Sequence, residues 1–537
     1  MKVRLFGAGV VLSLVASAGV LQAPAAAGAR AEPAPELPLG PPGLSETRTT
    51  TTLQPGVTLT RIVRGADAPA LPWTVEVAVP GGETSPDPDA PPTALKDRAS
   101  ADELAGELRR DGFDARAEEV VTPAVADFAG GALGWRVRVG SFAVRSAADA
   151  ERTRLTGAGH AGSTLYTGWD GEAGDRGPWR VDVLTVDPRR FRGSLDASYG
   201  PDLERRERTS ELAAAGGAFA AVNAGFFVLD PRAGAPGDPA GTGVYGGRVL
   251  SEPVAGRPAL VTEADGGSRV VRTVWRGRLV GPDAALALDG VNRVPGLVRN
   301  CGGTADDTPT ARPLHDVTCQ DPDELVAFTD GFGPRTPEGE GTEAVLDARG
   351  RVLEVRAPRG GVLPEGGSTV QATGEQADRL ARLARVGERL RVEASLRDAQ
   401  GRELPLSPST SVVNGGPELV RDGRPYVTPA ADGMVQEGNP SFYYGWMHKR
   451  SPRTLAGTDD AGRTVLVTAE GRDTDALGLS IPESAAVARA LGLRDAVNLD
   501  GGGSTTMVVH GDVLTDPSDA AGERPVGDAL LIRPRRD

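Results

Sequence analysis

The segment Asp495–Val509, DAVNLDGGGSTTMVV, places an acidic and glycine-rich turn between two apolar runs. The first run delivers Asp500 to its end, and Gly501, Gly502 and Gly503 follow directly. Consecutive glycines cost backbone entropy, so they are favourable mainly where a chain turns sharply or approaches a ligand closely. We therefore expect a strand, a tight loop and a second strand, with Asp500 at the end of the first strand.

The residues of this loop suit a polar ligand such as a sugar or a phosphate. Three glycines would leave their N–H groups bare, Ser504 and Thr505 add hydroxyl groups, and Asp500 adds a carboxylate. A P-loop is excluded because no lysine follows the glycines, and a nucleophile elbow is excluded because the serine lacks its flanking pattern. A plain glycine-rich hairpin with an acidic turn residue remains the alternative.

The composition sets the broad class of the protein. With 537 residues, the chain is longer than one typical domain. Its net charge of −14 argues against general binding to nucleic acid.

The N-terminus has the pattern of a secretory signal peptide. Lys2 and Arg4 precede an apolar run at 5–20, and small residues at 25–31 offer a cleavage site. A membrane anchor is the alternative, although the apolar stretch is short and rich in alanine. We expect residues 1–31 to be removed and the mature protein to be secreted, to the extracellular space or the cell wall.

Cys301 and Cys319 are the two cysteines of the chain. In an oxidising compartment they are placed to form a disulfide. Such a bond would close a loop of about 18 residues and contribute about 3 kcal/mol to stability. Two unrelated free thiols are the alternative, and His315 alone is not enough to complete a zinc site.

Residues 32–46 are rich in Pro, Gly and Glu and predict a linker, and residues 47–70 contain strand patterns. Residues 71–159 then predict the order strand, helix, strand, strand, helix. Ser100 and Glu103 predict a capping box at the start of the first helix.

The segment Trp135–Phe142, WRVRVGSF, followed by an alanine-rich helix, resembles the second half of a sporulation-related repeat (SPOR) domain. The resemblance covers residues 71–159. It implies that an exposed sheet face binds peptidoglycan glycan strands that lack stem peptides. A generic small α+β domain without a ligand is the alternative.

After Gly168 the chain becomes rich in strand patterns. Trp179–Val186 alternates like a strand, and Ser480 with Glu483 predicts a capped helix before the opening segment. No Gly-x-Gly-x-x-Gly stands between a strand and a helix, which argues against a dinucleotide-binding fold. We expect an α+β protein with a mixed, strand-rich catalytic domain, a few helices and a small βαββα module.

Four further segments place polar residues and glycines at strand ends or beside apolar runs. They are Asn223–Phe227 (NAGFF), Asn414–Pro417 (NGGP), Pro452–Thr454 (PRT) and Glu470–Arg472 (EGR). Each alone has a plain interpretation, because Asn before Gly is a routine turn.

Together with Leu499–Met507, and in this order, these segments resemble the phosphodiester glycosidase family. The resemblance covers residues 178–537, with residues 47–70 as the first strands of the same domain and the SPOR-like domain inserted after them. Three residues depart from the family pattern: Ala224 for Gly, Ser451 for His and Glu470 for Asp.

The resemblance implies hydrolysis of a sugar-1-phosphodiester, of the N-acetylglucosamine type, at the cell envelope. Asp500 and Glu470 would stabilise oxocarbenium character or activate water. Arg453 and Arg472 would neutralise phosphate, because guanidinium matches phosphate oxygens at two points. The expected catalytic residues are Asp500, Glu470 and Arg453. The expected substrate-binding residues are Asn223, Asn414, Gly415, Thr454, Arg472, Gly501, Gly502, Gly503, Ser504 and Thr505.

A calcium or magnesium ion held by carboxylates would fit this chemistry, although no loop has a recognised ligand spacing. Two other functions stay open. One is a catalytically silent wall protein that holds peptidoglycan or another glycan in the same pocket. The other is a glycoside hydrolase that processes exopolysaccharide.

Overall fold

The computed structural model describes residues 35–79, 93–172, 174–254, 256–303 and 312–535. The predicted signal peptide and residues 32–34 of the predicted linker lie outside this part of the chain. The described chain is mixed and strand-rich, with few helices, as expected of an α+β protein. No helix in the described residues is both long and apolar enough to span a bilayer.

The N-terminal part contains two strands, a small α+β module and a further strand. In chain order these elements are β1 (Glu46–Gln54), β2 (Val57–Arg64), β3 (Trp73–Val77), α1 (Arg98–Arg110), β4 (Ala115–Thr122), β5 (Gly131–Phe142), α2 (Arg145–Gly157), β6 (Gly162–Tyr166), a 3-10 turn (Thr167–Trp169) and β7 (Trp179–Val186).

The small module is a four-stranded antiparallel sheet of order β4-β5-β3-β6 with two helices. β6 follows the five elements expected from the sequence. Helix α1 begins at Arg98, because the Asp97 carboxylate accepts the N–H of Ser100 at 3.0 Å. The predicted capping box at Ser100 is therefore wrong, since an acidic residue three positions earlier provides the cap.

The middle of the chain consists mainly of short strands. They are, with two helices, β8 (Ser194–Ser198), α3 (Thr209–Gly216), β9 (Ala220–Asn223), β10 (Gly243–Tyr245), β11 (Arg248–Ser251), β12 (Pro258–Glu263), β13 (Ser268–Val280), β14 (Ala285–Ala287), β15 (Gly290–Val291), β16 (Leu297–Arg299), β17 (Thr318–Gln320), β18 (Leu325–Phe328), β19 (Arg335–Gly339), β20 (Thr342–Leu346), β21 (Val352–Arg356), β22 (Arg359–Val362), β23 (Ser368–Ala372), α4 (Gly374–Leu383) and β24 (Arg391–Asp398).

The C-terminal part carries most of the motif segments. Its elements are β25 (Thr410–Asn414), β26 (Glu418–Arg421), β27 (Arg424–Pro425), α5 (Pro440–Tyr443), a π-helical turn (Tyr444–His448), β28 (Arg453–Asp459), β29 (Thr464–Ala469), α6 (Ile481–Ala490), β30 (Leu493–Asn498), a 3-10 turn (Gly502–Ser504), β31 (Met507–Val509), β32 (Asp512–Val513) and β33 (Ala529–Arg533). The capping box of α6 at Ser480 and Glu483 is confirmed.

An eight-stranded antiparallel sheet of order β1-β2-β7-β29-β28-β30-β26-β27 forms the centre of the protein. β1 and β2 thus share a sheet with strands that follow residue 178. A second sheet, of order β32-β31-β9-β33-β8, and a third built around β10, β25 and β12 pack beside it.

The side chains of the central sheet alternate between two hydrophobic cores. Val465 and Val467 of β29 belong to the core shared with the small module, whereas Leu466 belongs to the core shared with the second and third sheets. This period of two is the pattern of a strand buried on both faces. The central sheet is therefore covered on each side. The motif segments at Pro452, Glu470 and Leu499 lie at ends of its strands β28, β29 and β30, whereas Asn223 ends β9 of the second sheet and Asn414 ends β25 of the third.

Candidate active site

The glycine-rich loop is fastened to the end of β9 by Asn223, which is fully buried. Its side-chain N–H donates to the Asp500 carbonyl at 2.7 Å, and its oxygen accepts the Thr506 N–H at 3.1 Å. The Asp500 N–H donates to the Ala224 carbonyl at 2.9 Å. Asn223 therefore contacts the protein's own loop, and it fixes the backbone that carries Asp500.

Asn414 holds the next residues of the same segment. Its amide accepts the Phe226 N–H at 2.9 Å and donates to the Phe226 carbonyl at 3.0 Å, as a neighbouring strand would. The N–H of Gly225 donates to the Asp528 carboxylate at 2.7 Å. Asn223 and Asn414 were both expected to bind substrate, but in the structure their side chains hold the backbone of Asp500 and Phe226.

The N–H groups of the glycine loop are used inside the protein. Gly501 donates to the Asp500 carboxylate at 2.9 Å, and Gly502 donates to the Pro452 carbonyl at 2.9 Å. The expectation of bare N–H groups is therefore wrong for these two glycines, because the loop folds back on its neighbours.

Close packing accounts for the glycines. Gly502 has a φ of +58°, in the left-handed region that favours glycine. A Cβ on Gly503 would overlap the ion pair of Arg524 with Asp519, in which Nε and Oδ2 are 2.7 Å apart. Glycine at this position lets Arg524 lie directly against the loop.

Asp500 lines a small, partly open cavity, which we name the Asp500 cavity. Its walls contain two arginines, two aspartates and one histidine, together with aromatic and aliphatic side chains. Small-molecule sites usually combine an apolar surface with a few polar groups in this way. The lining residues are Phe226, Phe227, Leu229, Ala240, Arg299, Asn300, His315, Asp316, Trp446, Asp500 and Arg524.

One wall of the cavity comes from the paired strands β16 and β17 and the residues next to them, which we call the ribbon; a disulfide closes it. Cys301 and Cys319 are bonded, with Cα atoms 5.7 Å apart, next to the paired strands β16 and β17. Asn300 accepts the Asp316 N–H at 2.7 Å, and Arg299 forms an ion pair with Asp316. The ribbon thus brings two residues from each side of the closed loop to the cavity.

His315 lies in an aromatic setting, with ring centroids 4.7 Å from both Phe226 and Trp446. Arg257 Nη2 is 2.6 Å from its Nδ1. Because arginine only donates, Nδ1 must accept, which assigns the proton of the neutral ring to Nε2. Burial lowers the pKa of His315 well below its usual value, and Arg257 and Arg299 lower it further.

Two buried donors on these walls lack a hydrogen-bond partner among the described residues. They are Nε2 of His315 and the indole Nε1 of Trp446. Buried polar groups are nearly always paired in proteins, so unpaired donors at a cavity indicate a place for a ligand acceptor.

Arg453 lies behind the cavity wall and is 3% exposed. Its guanidinium donates to the backbone carbonyls of Leu479 at 3.0 Å, Trp446 at 2.7 Å and Lys449 at 3.3 Å. Burial, reinforced by nearby Arg472, lowers the pKa of Arg453 to about 9. In this structure Arg453 fixes the backbone of the Trp446 segment.

Arg472 lies against the glycine loop, whereas Glu470 contacts the segment that follows β32. The Glu470 carboxylate accepts the Asp516 N–H at 3.2 Å, and burial raises its pKa. Arg472 is exposed, with a φ of +60°, and its Nη2 would lie 3.2 Å from a Cβ on Gly502.

The remaining predicted residues hold the loops together. The Thr454 hydroxyl donates to the Asn223 oxygen at 2.7 Å and to the Thr505 hydroxyl at 3.4 Å. The Gly415 N–H donates to the Pro258 carbonyl at 3.1 Å, and the buried Ser504 hydroxyl has no partner among the described residues. Of all the predicted site residues, Asp500 is the one that lines the cavity.

Most residues that line the cavity are not among those predicted from the sequence motifs. Phe226 and Phe227 stood in a quoted motif without a role, and Arg299, Asn300, His315 and Asp316 were not selected. The sequence did hold a usable signal. Arg299 and Asn300 directly precede Cys301, and Asp316 directly follows His315, which lies inside the predicted disulfide loop. In the described ranges, no group of three or more His, Cys, Asp or Glu residues is arranged to hold a metal ion.

Comparisons with known proteins identify the family. Residues 340–533 match the phosphodiester glycosidase model, and residues 93–166 match the SPOR domain model. A protein of Burkholderia pseudomallei K96243, whose name describes it as a presumed exported protein, has a crystal structure that matches with a TM-score of 0.83. The two are 34% identical, over 94% of this chain and 99% of that chain. The chain carries a phosphodiester glycosidase domain at residues 340–533.

Two further relatives differ in extent. The mouse N-acetylglucosamine-1-phosphodiester alpha-N-acetylglucosaminidase is 34% identical over 119 residues, 21% of this chain and 22% of that protein. The match thus spans about a fifth of the curated relative's length. A hypothetical protein from Synechocystis matches with a TM-score of 0.51 at 15% identity, over 91% of this chain and 79% of that chain, and shares the fold.

The phosphodiester glycosidase model starts at residue 340, so it includes Asp500, Trp446 and Arg524 but not Arg299 or His315. The family match and the cavity therefore overlap in the C-terminal part of the chain. The ribbon wall lies outside the residues that the family model matches.

Proposed function

We propose that this phosphodiester glycosidase hydrolyses a sugar-1-phosphodiester in the Asp500 cavity. The observation that supports it is that the Asp500 carboxylate and two guanidinium groups, Arg299 and Arg524, line one cavity, where a second carboxylate, Asp316, pairs with Arg299. Carboxylate and guanidinium are the groups that cleavage between an anomeric carbon and a phosphate oxygen requires.

The roles follow from charge. Arg299 and Arg524 neutralise the phosphate, while Asp316 and Asp519 keep the two guanidinium groups in place. His315 and Trp446 donate hydrogen bonds from Nε2 and Nε1 to oxygen atoms of the substrate. Phe226 supplies an apolar surface for the sugar ring.

Asp500 acts at the anomeric carbon. It activates water or stabilises positive charge on the ring while the bond from C1 to the phosphate oxygen breaks. Water supplies the new C1 hydroxyl group, its proton passes to the carboxylate or to solvent, and a phosphomonoester leaves. That leaving group is a weak base, so the site needs no strong general acid.

Glu470, Arg453 and Arg472 keep supporting parts in this proposal. Arg453 and the asparagine pair position the loops, Arg472 borders the glycine loop, and Glu470 holds the segment after β32. A calcium or magnesium ion is not needed for the steps above.

The proposed place of action is outside the cytoplasm, at the cell envelope. The N-terminal signal-peptide pattern, the bond between Cys301 and Cys319, and the name of the Burkholderia relative support it. Cell fractionation of the producing strain should recover the protein in the medium or the envelope. Recovery of the full-length chain in the cytoplasm would contradict this part.

The decisive test uses a panel of sugar-1-phosphodiesters and simple aryl glycosides. We expect free sugar from at least one phosphodiester, led by N-acetylglucosamine-1-phosphodiesters, and little release from the aryl glycosides. Faster release from aryl glycosides would favour an ordinary glycoside hydrolase. Binding of glycans without turnover of any compound would favour a silent glycan-binding protein.

The matched variant for this test is Asp500→Asn, which keeps the shape of the side chain and removes its charge. We expect kcat/KM to fall by roughly a hundredfold to ten-thousandfold, the usual contribution of a catalytic carboxylate. Asp512→Asn, at an exposed position of β32, is the control and should stay near the wild-type rate. Near-normal turnover by folded Asp500→Asn would remove Asp500 from the mechanism.

A further inference from the structure

The sheet of the SPOR domain has one apolar and one polar face. Val75 and Val137 share a core with Leu104 and Leu155 of the two helices, which therefore cover the apolar face. Alternate residues point the other way. This second face, named here the polar sheet face, consists of Thr74, Glu76, Arg116, Glu118, Arg136 and Arg138.

The members of the polar sheet face are neighbours across the strands. Glu76 is opposite Arg138, and Glu118 is opposite Arg136. On the resemblance alone, a sheet face of this domain would be exposed and would bind a glycan strand. The structure instead buries the centre of the polar sheet face: Glu76 is 3% exposed, Arg138 1% and Arg136 6%, whereas Arg116 and Glu118 on β4 are partly exposed.

The cover is a segment of the same chain, residues 440–449, which contains α5 and the π-helical turn. The Tyr444 hydroxyl donates to Glu76 at 2.7 Å and accepts from Arg136 at 3.0 Å. The Lys449 ammonium donates to Glu76 at 2.6 Å. Tyr444 itself is 1% exposed, so its hydroxyl lies wholly inside the contact.

Backbone and ring contacts extend the same interface. The Ser441 hydroxyl accepts the N–H groups of Ala94 at 3.1 Å and Leu95 at 3.0 Å. The ring of Tyr443 stacks on Phe128 with centroids 4.5 Å apart.

The charges of the interface are matched within the protein. Glu76 and Asp170 face Arg136, Arg138 and Lys449. Burial alone would raise the pKa of Glu76, but Lys449 and Arg138 outweigh it and hold the pKa at about 2. Breaking a buried ion pair by removing one partner is strongly destabilising, because the other charge stays buried. A glycan would have to displace this segment and replace all of its partners.

The covering segment also reaches the Asp500 cavity. Trp446 lies two residues after Tyr444, forms part of the cavity wall and contacts His315. Its carbonyl accepts a hydrogen bond from Arg453. The same short segment is therefore held by the SPOR sheet on one side and presents an aromatic wall on the other.

We propose that the polar sheet face of the SPOR domain is an internal docking surface for residues 440–449, that it positions Trp446 in the cavity, and that it takes up no glycan strand in the folded protein. A ligand can displace a docked segment only by binding more favourably than the segment does. The positioning of Trp446 rests on the proposed function, whereas the docking does not.

Hydrogen exchange on the full chain tests the docking. Tyr444→Phe keeps the ring and removes the hydroxyl that joins Glu76 and Arg136, and Glu76→Gln removes the charge that Lys449 contacts. We expect amides of residues 440–449 to exchange about tenfold faster or more in both variants. Glu119→Gln, an exposed acid on the neighbouring strand β4, is the control and should leave exchange unchanged. If Glu76→Gln fails to fold, Tyr444→Phe decides, and unchanged exchange in it would overturn the docking.

A second arm uses denuded glycan strands prepared from sacculi. With wild-type protein we expect no saturable binding and no added protection in β3 or β5. Saturable binding with added protection of both strands would overturn the proposal.

The third arm measures turnover of a sugar-1-phosphodiester. Tyr444→Phe should raise KM several-fold while kcat changes less, because a displaced Trp446 weakens substrate placement, and unchanged KM would overturn the positioning. If wild-type protein hydrolyses nothing, the proposed function fails, while the exchange and glycan arms still decide the docking.

Discussion

At the scale of single residues, the cavity contains groups whose protonation is set by what surrounds them. His315 is the clearest case, because Arg257 occupies Nδ1 and burial keeps the ring neutral. A ring fixed in this tautomer can donate from Nε2 but is poorly suited to act as a base. Its contribution to catalysis should therefore be a hydrogen bond of constant strength.

This assignment predicts a specific pH profile for His315→Gln. We expect kcat/KM to fall about tenfold with no change in the shape of the profile between about pH 5.5 and 8, because no proton is gained or lost at this ring. His510→Gln, on the turn after β31, is the control. A limb with an apparent pKa near 6 to 7 that vanishes in His315→Gln would contradict the prediction.

Asp528 holds the segment that leads to Phe226 in the cavity wall, because its carboxylate accepts hydrogen bonds from the Gly225 N–H and the Tyr245 hydroxyl. Burial raises its pKa from 3.8 to about 6, against the lowering effect of these two hydrogen bonds. A raised pKa means that the folded state holds the proton more tightly than the unfolded state. The associated stability is complete below pH 3.8 and is lost as the pH rises through about 6.

We therefore expect the free energy of unfolding of the wild-type protein to fall between pH 4 and pH 8, by up to about 3 kcal/mol relative to that of Asp528→Asn. Urea unfolding at several pH values measures this difference, and Asp512→Asn should follow the wild-type curve. Parallel curves for wild type and Asp528→Asn would refute the role of burial.

At the scale of elements, periodic segments could be predicted from sequence and the site could not. Trp179–Val186 alternates, and it forms β7 with those bounds, because alternation is a local property of a buried strand. The strand-end motifs also marked the loops that meet around Asp500. The roles of the individual residues depend on partners far along the chain. The Asn414 side chain, for example, is hydrogen-bonded to the backbone of Phe226.

The ribbon that carries Arg299 and His315 shows why the rest was out of reach. No apolar period or glycine motif marks it, and its place at the cavity follows from how β16 and β17 pack. The two cysteines did indicate that the loop is closed, but loop closure does not say which residues face the site.

The disulfide of this ribbon leads to a prediction for the element as a whole. Replacing both cysteines, Cys301→Ser with Cys319→Ser, should lower the free energy of unfolding by about 2 to 5 kcal/mol. It should also reduce kcat/KM, because the disulfide would no longer hold Arg299 and His315 in place. Denaturant unfolding and turnover measure the two effects. Because the chain has no other cysteine, a reducing agent should impair wild type and leave the double variant unchanged. Full activity and stability of the double variant would contradict the prediction.

At the scale of the whole molecule, the SPOR domain and the central sheet share one hydrophobic core. Leu108 of α1 and Val137 of β5 belong to the same cluster as Leu455 of β28 and Met447 of the covering segment. Elements that share a core tend to unfold as one cooperative unit. The SPOR domain and the central sheet therefore form a joint structure, and removal of the SPOR domain would expose the apolar surface beneath it.

We expect the SPOR domain and the eight-stranded sheet to unfold in a single transition. Leu108→Ala, at a fully buried position of α1, should cost about 2 to 5 kcal/mol and lower the midpoint for both parts equally. Hydrogen exchange followed through a urea series can report β5 and β29 separately within one sample. Val144→Ala, at a side chain 57% exposed, is the control and should leave both midpoints in place. Two separate transitions, with Leu108→Ala shifting only that of β5, would show that the shared core does not couple the two parts. The docking of residues 440–449 would then have to hold the cavity wall without support from a common core.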